Sequence, residues 1–194
     1  IKRNGKVVHY LDMPIQHIND DILKRMGRRT SGAELADKIE LLRSEIPDIC
    51  LRTTLICGFP GETPQAHEEL LEFLNWAEFD RLGAFTYSPE ENTPAASFEG
   101  QLDEETKLTC RDEVMELQQE ISYDRNESMK GRELWAFVEC KVADENAYVA
   151  RTYKDAPGVD GYIFIHTDAE LMSGDFVKVR VTGALDYDLI GEMI

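Results

Sequence analysis

The stretch GFPGET, residues 58–63, places two glycines, a proline and an acidic side chain between the apolar run TLIC and the helix-like segment PQAHEELLEFLNWA. Glycine and proline force a tight turn where a strand meets a helix, so a ligand can approach this backbone closely. Ligands of α/β and barrel folds bind at the carboxyl ends of strands. The hexapeptide lacks the Lys-Ser/Thr of a phosphate-binding loop. Taken alone, it is explained better as a turn in which Thr63 caps the next helix.

Four further residues have side chains that can do chemistry. Gln16, in the segment DMPIQH, follows another predicted strand, where its amide can bind a ligand's hydroxyl or ring edge or pair with the backbone in a turn. Arg52 lies in an apolar strand and requires an anion, either a ligand carboxylate or a core acid. The adjacent Glu90 and Glu91 can act as an acid and a base, but a solvated acidic loop is the simpler interpretation.

The histidines and cysteines show no spacing typical of a metal site, so we assign none of them to a metal. Nothing in the cysteine pattern suggests a secreted disulfide framework, and a reduced, cytoplasmic protein is the simplest interpretation. The eight residues are His9, His17, His67, His166, Cys50, Cys57, Cys110 and Cys140.

Strand-like and helix-like segments alternate over the first two-thirds of the chain. Strands are predicted at 6–16, 49–59 and 81–88, and amphipathic helices are predicted to begin after Asn19, Ser31 and Thr63, each of which can cap a helix N-terminus. A long acidic helix is predicted over about 103–129. This alternation predicts an α/β fold with a parallel sheet or part of a β/α barrel.

From Arg132 onward the pattern changes to five short β-rich runs separated by turns such as DAPGVDG and MSGD. Five short strands in roughly sixty residues predict a small OB-like barrel. We therefore expect two domains, 1–130 and 131–194. Trp135, Tyr148 and Tyr162 are interpreted as core residues of the second domain and not as stacking platforms for nucleic acid bases.

The chain is acidic, with a formal net charge of −17 from 38 acidic and 21 basic residues. Both predicted domains share this character, since 131–194 hold twelve acidic and six basic residues. Such a charge opposes binding to a phosphate backbone and favours a basic partner. No apolar run approaches the length of a membrane span, so no membrane association is expected.

Taken together, these motifs resemble the carboxyl-terminal portion of a radical S-adenosylmethionine methylthiotransferase. The segments LDMPIQH, ILKRMGRRTS, RTTLICGFPGET, YSPEENTPAASF and LQQEIS occur in the family's order, followed by a TRAM-like domain containing DAPGVDG and GDFVKVRVTGALDYDLIGE. Within the family, the chain is most similar to the branch that adds a methylthio group to the β-carbon of an aspartate in the twelfth protein of the small ribosomal subunit. The resemblance implies the last three strands of a partial six-stranded barrel joined to a five-stranded TRAM barrel.

The resemblance also implies roles for particular residues. The set that matches the family's motif packing against S-adenosylmethionine is Gly58, Phe59, Pro60, Gly61 and Glu62. Gln16 matches a polar position facing the same cofactor, and Arg52 is a weaker candidate for the cofactor's carboxylate. Glu90 and Glu91 stand where tRNA-directed members carry an Arg-Pro-Gly loop, and they become candidate contacts for the protein substrate.

The tRNA-directed sister branch differs from this chain in three ways. It usually carries Leu-Pro-Val-Gln-Ser-Gly where this chain reads MPIQHI, Arg-Pro-Gly where it reads EEN, and a basic TRAM domain where this one is acidic. All three differences suit a basic small-subunit ribosomal protein as the partner and make nucleic acid an unlikely one.

One departure from the family pattern concerns iron. The Cys-x-x-x-Cys-x-x-Cys triplet that holds the radical-generating cluster is absent, and the four cysteines present cannot replace it at their spacings. The resemblance implies two 4Fe-4S clusters in the full-length enzyme, one of which cleaves S-adenosylmethionine to a 5′-deoxyadenosyl radical. We therefore expect a fragment that is inactive alone. One alternative is a tRNA methylthiotransferase of the sister branch, which a salt-sensitive affinity of 131–194 for tRNA would favour. The other is a truncated, non-catalytic binding protein, which would have no cysteine triplet in the coding sequence upstream of Ile1.

Overall fold

The computed structural model describes residues 1–194, and the chain divides into two compact units. The first, here called the β/α unit, comprises Leu11–Gln118 together with Lys2. The second, here called the barrel unit, comprises Gln119–Ile194 together with Ile1 and Arg3–Tyr10. The helices are either too short or too polar to span a lipid bilayer.

Three strands and four helices alternate through the first part of the chain, as the sequence predicts. The strands form one sheet in the order β1-β2-β3, and β2 and β3 are parallel. A 3₁₀ turn lies between β3 and the last helix. The elements are β1 (Tyr10–Asp12), α1 (Asp20–Arg25), α2 (Gly32–Glu45), β2 (Cys50–Cys57), α3 (Pro64–Ala77), β3 (Arg81–Thr86) and α4 (Glu104–Glu127).

The three predicted helix caps are present. The side chain of Asn19 accepts hydrogen bonds from two backbone N–H groups of α1, and that of Thr63 accepts one from Ala66 at the start of α3. Ser31 and Glu34 form a reciprocal capping box at the start of α2. Each cap satisfies N–H groups that the first turn of a helix leaves without an internal partner, which fixes where the helix begins.

β1 is shorter than the predicted strand 6–16. Pro14 has no N–H to donate, so regular pairing stops before it. The hydroxyl of Thr53 takes the place of the missing backbone hydrogen bonds by donating to the carbonyl of Met13 and accepting from the N–H of Ile15. Pairing with β2 resumes at Gln16, which forms an isolated parallel bridge with Leu55. The chain therefore remains beside β2 as far as the predicted site.

The core of the β/α unit lies between the sheet and its helices. Leu51 and Leu55 of β2 are fully buried against apolar side chains of α2 and α3 such as Ile39 and Leu70. The stretch that forms β2 is more continuously apolar than that of β1, which is typical of a strand covered by helices. Burial nevertheless alternates along β2, and Arg52 and the alternate residues after it are only half-buried, because the helices cover one face of the sheet and leave the other partly exposed.

Five strands close into a barrel in the order β4-β5-β6-β8-β7, which confirms the predicted OB-like architecture. β6 and β8 are parallel, and the other neighbouring strands are antiparallel. Small and branched side chains fill the interior, among them Ala136, Ile163 and Val179, each with no exposed surface. The strands are β4 (Glu133–Lys141), β5 (Ala147–Arg151), β6 (Ile163–His166), β7 (Phe176–Ala184) and β8 (Leu189–Met193).

The three aromatic residues assigned to the barrel core behave differently. Tyr148 is buried, and its hydroxyl accepts a hydrogen bond from the N–H of Leu171. Tyr162 is half-buried. Trp135 is 62% exposed, so its assignment to the core is wrong: it lies on the outer face of β4, while its neighbour Ala136 points inward.

Candidate functional site

The carboxyl edge of the three-stranded sheet carries the predicted site. Gln16 lies at this edge because its N–H donates to the carbonyl of Thr54 and its carbonyl accepts from the N–H of Ile56, both on β2. Its φ of 70° is positive, which few residues other than glycine adopt. The side-chain oxygen of Gln16 is buried and has no hydrogen-bond partner within the chain. Such an atom is suited to a ligand that supplies a donor.

The loop 58–62 follows β2 at the same edge, and its two glycines are required by geometry. Gly58 and Gly61 both have positive φ, 73° and 88°. A Cβ at Gly58 would lie 2.3 Å from the side chain of Lys107 and 3.1 Å from its Cα, so only glycine fits. The N–H of Gly61 donates to the carbonyl of Gly100 at 2.8 Å.

Glu62 holds this loop in place from inside. Its carboxylate accepts hydrogen bonds from the N–H of Gly58 at 2.6 Å and the N–H of Phe59 at 3.1 Å. Its side chain is 1% exposed. Hydrogen bonds from backbone N–H groups to a buried, ionised carboxylate are charge-assisted and strong. Glu62 therefore shapes the loop, in which only Gly61 keeps partly exposed surface.

Aromatic rings support the loop from the next strand. The ring of Phe59 packs edge-on against Tyr87, with centroids 5.1 Å apart, and against Phe98 at 6.3 Å. Tyr87 directly follows β3, and its N–H donates to the carbonyl of Cys57 at 2.8 Å. The hydroxyl of Tyr87 is buried without a partner within the chain. The side chains of Gln16 and Tyr87 thus bring two buried polar atoms without partners to this edge, from the segments that follow β1 and β3.

Two histidines surround the carboxylate of Glu62. The Oε1 atom of Glu62 lies 3.6 Å from the Nε2 atom of His17 and 3.5 Å from the Nδ1 atom of His67. Burial alone raises the pKa of Glu62, but the contacts with His17 and His67 and the bond from Gly58 outweigh it and lower the pKa to about 2.

His67 also contacts Glu113 of α4, its Nε2 atom lying 2.8 Å from a carboxylate oxygen. The contact with Glu62 raises the pKa of His67; burial opposes this rise, and Glu113 adds to it. The ring of His67 therefore lies between the carboxylates of Glu62 and Glu113, which favour its protonated, positively charged form.

Two cysteines lie beside this cluster. Burial, together with the charge of Glu62, raises the pKa of Cys57 to about 12 and that of Cys110 to about 11. The Sγ atom of Cys110 and single ligand atoms of Glu62 and His67 all lie within 4.8 Å of one another. Sequence spacing missed this group because its members come from a loop and two different helices.

Three other predicted site residues, Arg52, Glu90 and Glu91, are not among the side chains that hold loop 58–62 or surround the carboxylate of Glu62. Arg52 projects from β2, and its Nη1 atom donates to the carboxylate of Asp12 at 2.8 Å. The side chain of Asp12 is 42% exposed, so the partner of Arg52 is an acid at the surface and not a core acid. Glu90 and Glu91 are exposed in the loop after β3.

Two family models match the chain: the Radical SAM superfamily over residues 1–74 and the TRAM domain over residues 131–194. Curated relatives match along essentially the whole chain. The ribosomal protein uS12 methylthiotransferase RimO of Lachnoclostridium phytofermentans is 56% identical over 191 residues, which are 98% of this chain and 43% of that protein. The RimO proteins of Carboxydothermus hydrogenoformans and Desulfitobacterium hafniense are 46% and 45% identical over 194 residues, 44% and 43% of their lengths. The chain thus spans less than half the length of these relatives.

A solved structure supports the fold. The coproporphyrinogen III oxidase HemN from Escherichia coli, described as a radical SAM enzyme, superposes with a TM-score of 0.50 at 21% identity. The match covers 59% of this chain and 27% of that one. At this identity, the likeness shows the fold alone.

Proposed function

Because the chain belongs to the RimO-type methylthiotransferases of the radical S-adenosylmethionine superfamily, we propose that it forms part of an enzyme that methylthiolates ribosomal protein uS12. The observation that carries this proposal is the identity to relatives of that name along 98% or more of the chain. In finer detail, the proposed acceptor is the β-carbon of an aspartate of uS12. A closed barrel matching the TRAM model adds the second domain expected of such an enzyme.

The residues at the sheet edge fit S-adenosylmethionine. The unpartnered oxygen of Gln16 and hydroxyl of Tyr87 belong to the segments that follow β1 and β3, the two strands beside β2, and adenosine and methionyl groups offer donors and acceptors for both. In this proposal the backbone of the loop packs against the cofactor, and Glu62 is the positioning residue that keeps the loop in shape. When bound, the cofactor and an iron–sulfur cluster supply the radical chemistry. Arg52 stays a weaker candidate for the cofactor's carboxylate, since that role requires it to exchange Asp12 for the ligand.

The cluster ligands are proposed to lie in the rest of the full-length protein. The four cysteines of this chain come from β2, α4 and β4, and none lies within three residues of another. A chain lacking the triplet cannot hold a Cys-ligated cluster of this type. We therefore propose two 4Fe-4S clusters elsewhere in the full-length enzyme and no turnover by this chain alone.

The partner is proposed to be basic uS12 and not tRNA. The net charge of −17 attracts a basic protein and repels nucleic acid. Glu90 and Glu91, exposed beyond β3, are proposed contacts for that substrate. The outer face of β4 and β7 carries the exposed rings of Trp135 and Phe176, a feature that single-stranded nucleic acid binders use for stacking. The cations on the same face, Lys178 and Arg180, pair with Glu133, which reduces their attraction for phosphate.

A direct test uses the full-length enzyme with reconstituted clusters, a reductant, a sulfide source and methyl-labelled S-adenosylmethionine. Mass spectrometry of uS12 and of bulk tRNA, incubated separately, reports which one gains a methylthio group. Gln16→Ala should weaken cofactor binding, whereas Asn75→Ala, on the exposed side of α3, should not. Label in tRNA with none in uS12 would reject the assignment in favour of the sister branch.

A further inference from the structure

The buried group beside loop 58–62 has a chemical role that the cofactor site does not require. Its three ligand atoms, a carboxylate oxygen of Glu62, a ring nitrogen of His67 and the Sγ of Cys110, all lie within 4.8 Å of one another. They come from the loop after β2, from α3 and from α4. Oxygen, nitrogen and sulfur donors of these kinds are the ligands that zinc-like ions take in proteins.

The hydrogen bonding of His67 determines which of its nitrogens is available. Nε2 lies 2.8 Å from the carboxylate of Glu113, so a neutral imidazole carries its proton there. The lone pair of Nδ1 then faces the Oε1 atom of Glu62 at 3.5 Å. Both atoms are buried acceptors without a hydrogen-bond partner. Two such acceptors cannot satisfy each other, so something positive belongs between them.

His17 has the opposite arrangement and is not a ligand. Its Nδ1 atom accepts a hydrogen bond from the N–H of Asn19 at 3.0 Å, so the proton of the neutral ring is on Nε2. That N–H points toward the Oε1 atom of Glu62 at 3.6 Å. With no exposed surface, the ring can only orient the carboxylate. His17 is therefore a positioning residue for Glu62.

The distances suit one small divalent ion. Zinc binds nitrogen and oxygen at roughly 2.0–2.2 Å, so two tetrahedral ligands lie roughly 3.4 Å apart. The separation of 3.5 Å between Nδ1 of His67 and Oε1 of Glu62 matches this value. We propose that Glu62, His67 and Cys110 bind a single zinc-class divalent transition-metal ion, with Cys110 as thiolate. Glu113 is then the outer carboxylate that fixes the ring of His67, an arrangement common among zinc-bound histidines.

This site is separate from the iron–sulfur clusters of the proposed function, and it does not depend on that function being right. A metal here would tie loop 58–62 to α3 and α4 and hold the loop's conformation. The rival occupant is a proton on Nδ1 of His67, which would bridge the two carboxylates without any metal. The experiment must therefore separate a metal from a proton.

The test uses the 194-residue chain, stripped with a chelator, then titrated with Co²⁺ and displaced with Zn²⁺. We expect one ion per chain and a thiolate-to-cobalt charge-transfer band with tetrahedral visible bands. Cys110→Ser and His67→Gln should each weaken binding more than about 100-fold, and Glu113→Gln about 10-fold. The matched controls Cys140→Ser and His166→Gln, both exposed, should bind like the parent chain.

Circular dichroism separates a lost ligand from a lost fold, and Cys110→Ser is conservative enough to keep the fold. The proposal is overturned if the stripped chain binds neither ion, or if it binds without a thiolate band. It is also overturned if Cys110→Ser and His67→Gln bind as tightly as the parent chain. Nitrogen NMR showing His67 protonated on both ring atoms at saturating Zn²⁺ would assign the position to a proton and reject the metal.

Discussion

Replacing Glu62 by glutamine tests how loop 58–62 is held. The substitution preserves side-chain size, so no cavity opens, but it removes the charge and one of the two acceptor oxygens. If the remaining oxygen accepts from Gly58 and Phe59, the amide NH₂ can donate to Nδ1 of His67, but the Nε2–H of His17 then faces a donor and has no acceptor. If the amide is reversed, the NH₂ group faces the two backbone N–H groups instead. Either orientation leaves a buried donor unpaired.

The expected loss follows from these contacts. An unpaired buried donor costs about 1–3 kcal/mol, and the two backbone bonds also lose their charge assistance. We expect Glu62→Gln to lower the free energy of unfolding of the β/α unit by about 2–4 kcal/mol. The amide hydrogens of Gly58 and Phe59 should also exchange faster with solvent.

The assay is urea denaturation with a chelator present, so that no metal contributes. Trp76 lies on α3, and a Trp135→Phe background makes it the only tryptophan, so its fluorescence reports the β/α unit. Glu72→Gln, which removes an exposed charge from the same helix, is the control and should stay within about 0.5 kcal/mol of the parent. A loss for Glu62→Gln no larger than that of Glu72→Gln would refute the view that this carboxylate holds the loop.

Two further predictions concern a glycine and an ion pair. In urea denaturation, Gly58→Ala should destabilise the chain by about 1–3 kcal/mol more than Gly27→Ala. Both glycines have positive φ, but only at Gly58 would an added Cβ clash, with Lys107 in the first turn of α4. Equal losses would show that the helix moves aside freely. The carboxyl of Glu133 should titrate below its ordinary pKa of 4.5, because hydrogen bonds and charges from Lys178 and Arg180 lower it. The contacts of Glu133 with the two cations therefore stabilise the fold above pH 4.5, and this stabilisation is lost as the pH falls through the lowered pKa of Glu133. An NMR titration should show the pKa of Glu133 return to its ordinary value when both cations are replaced by methionine. An unchanged pKa would show that the cations do not cause the shift.

The sequence predicts those features whose causes are local. Asn19, Ser31 and Thr63 cap their helices through bonds spanning at most three residues, so each cap is readable from a short stretch. Gln16 and loop 58–62 were expected at one edge because both follow strands of a parallel sheet, and the structure places them there.

Features that depend on packing between distant segments were not predictable. The contact between His67 and Glu113 joins residues 46 apart, and it exists only because α4 lies beside α3. Trp135 was misassigned because β4 has apolar residues on both faces, so the sequence does not fix which face points inward. Pairing with β7 settles the register and places the small Ala136 inside.

The proposed function places this chain in an enzyme that acts on uS12. The most direct measurement expresses the complete coding sequence that contains this chain in cells whose own uS12 methylthiotransferase gene is deleted, followed by mass spectrometry of purified uS12. We predict that an aspartate-containing peptide of uS12 gains one methylthio group, and that the Gln16→Ala variant reduces this gain. If uS12 stays unmodified in cells that produce the protein with its clusters intact, the proposed function is wrong.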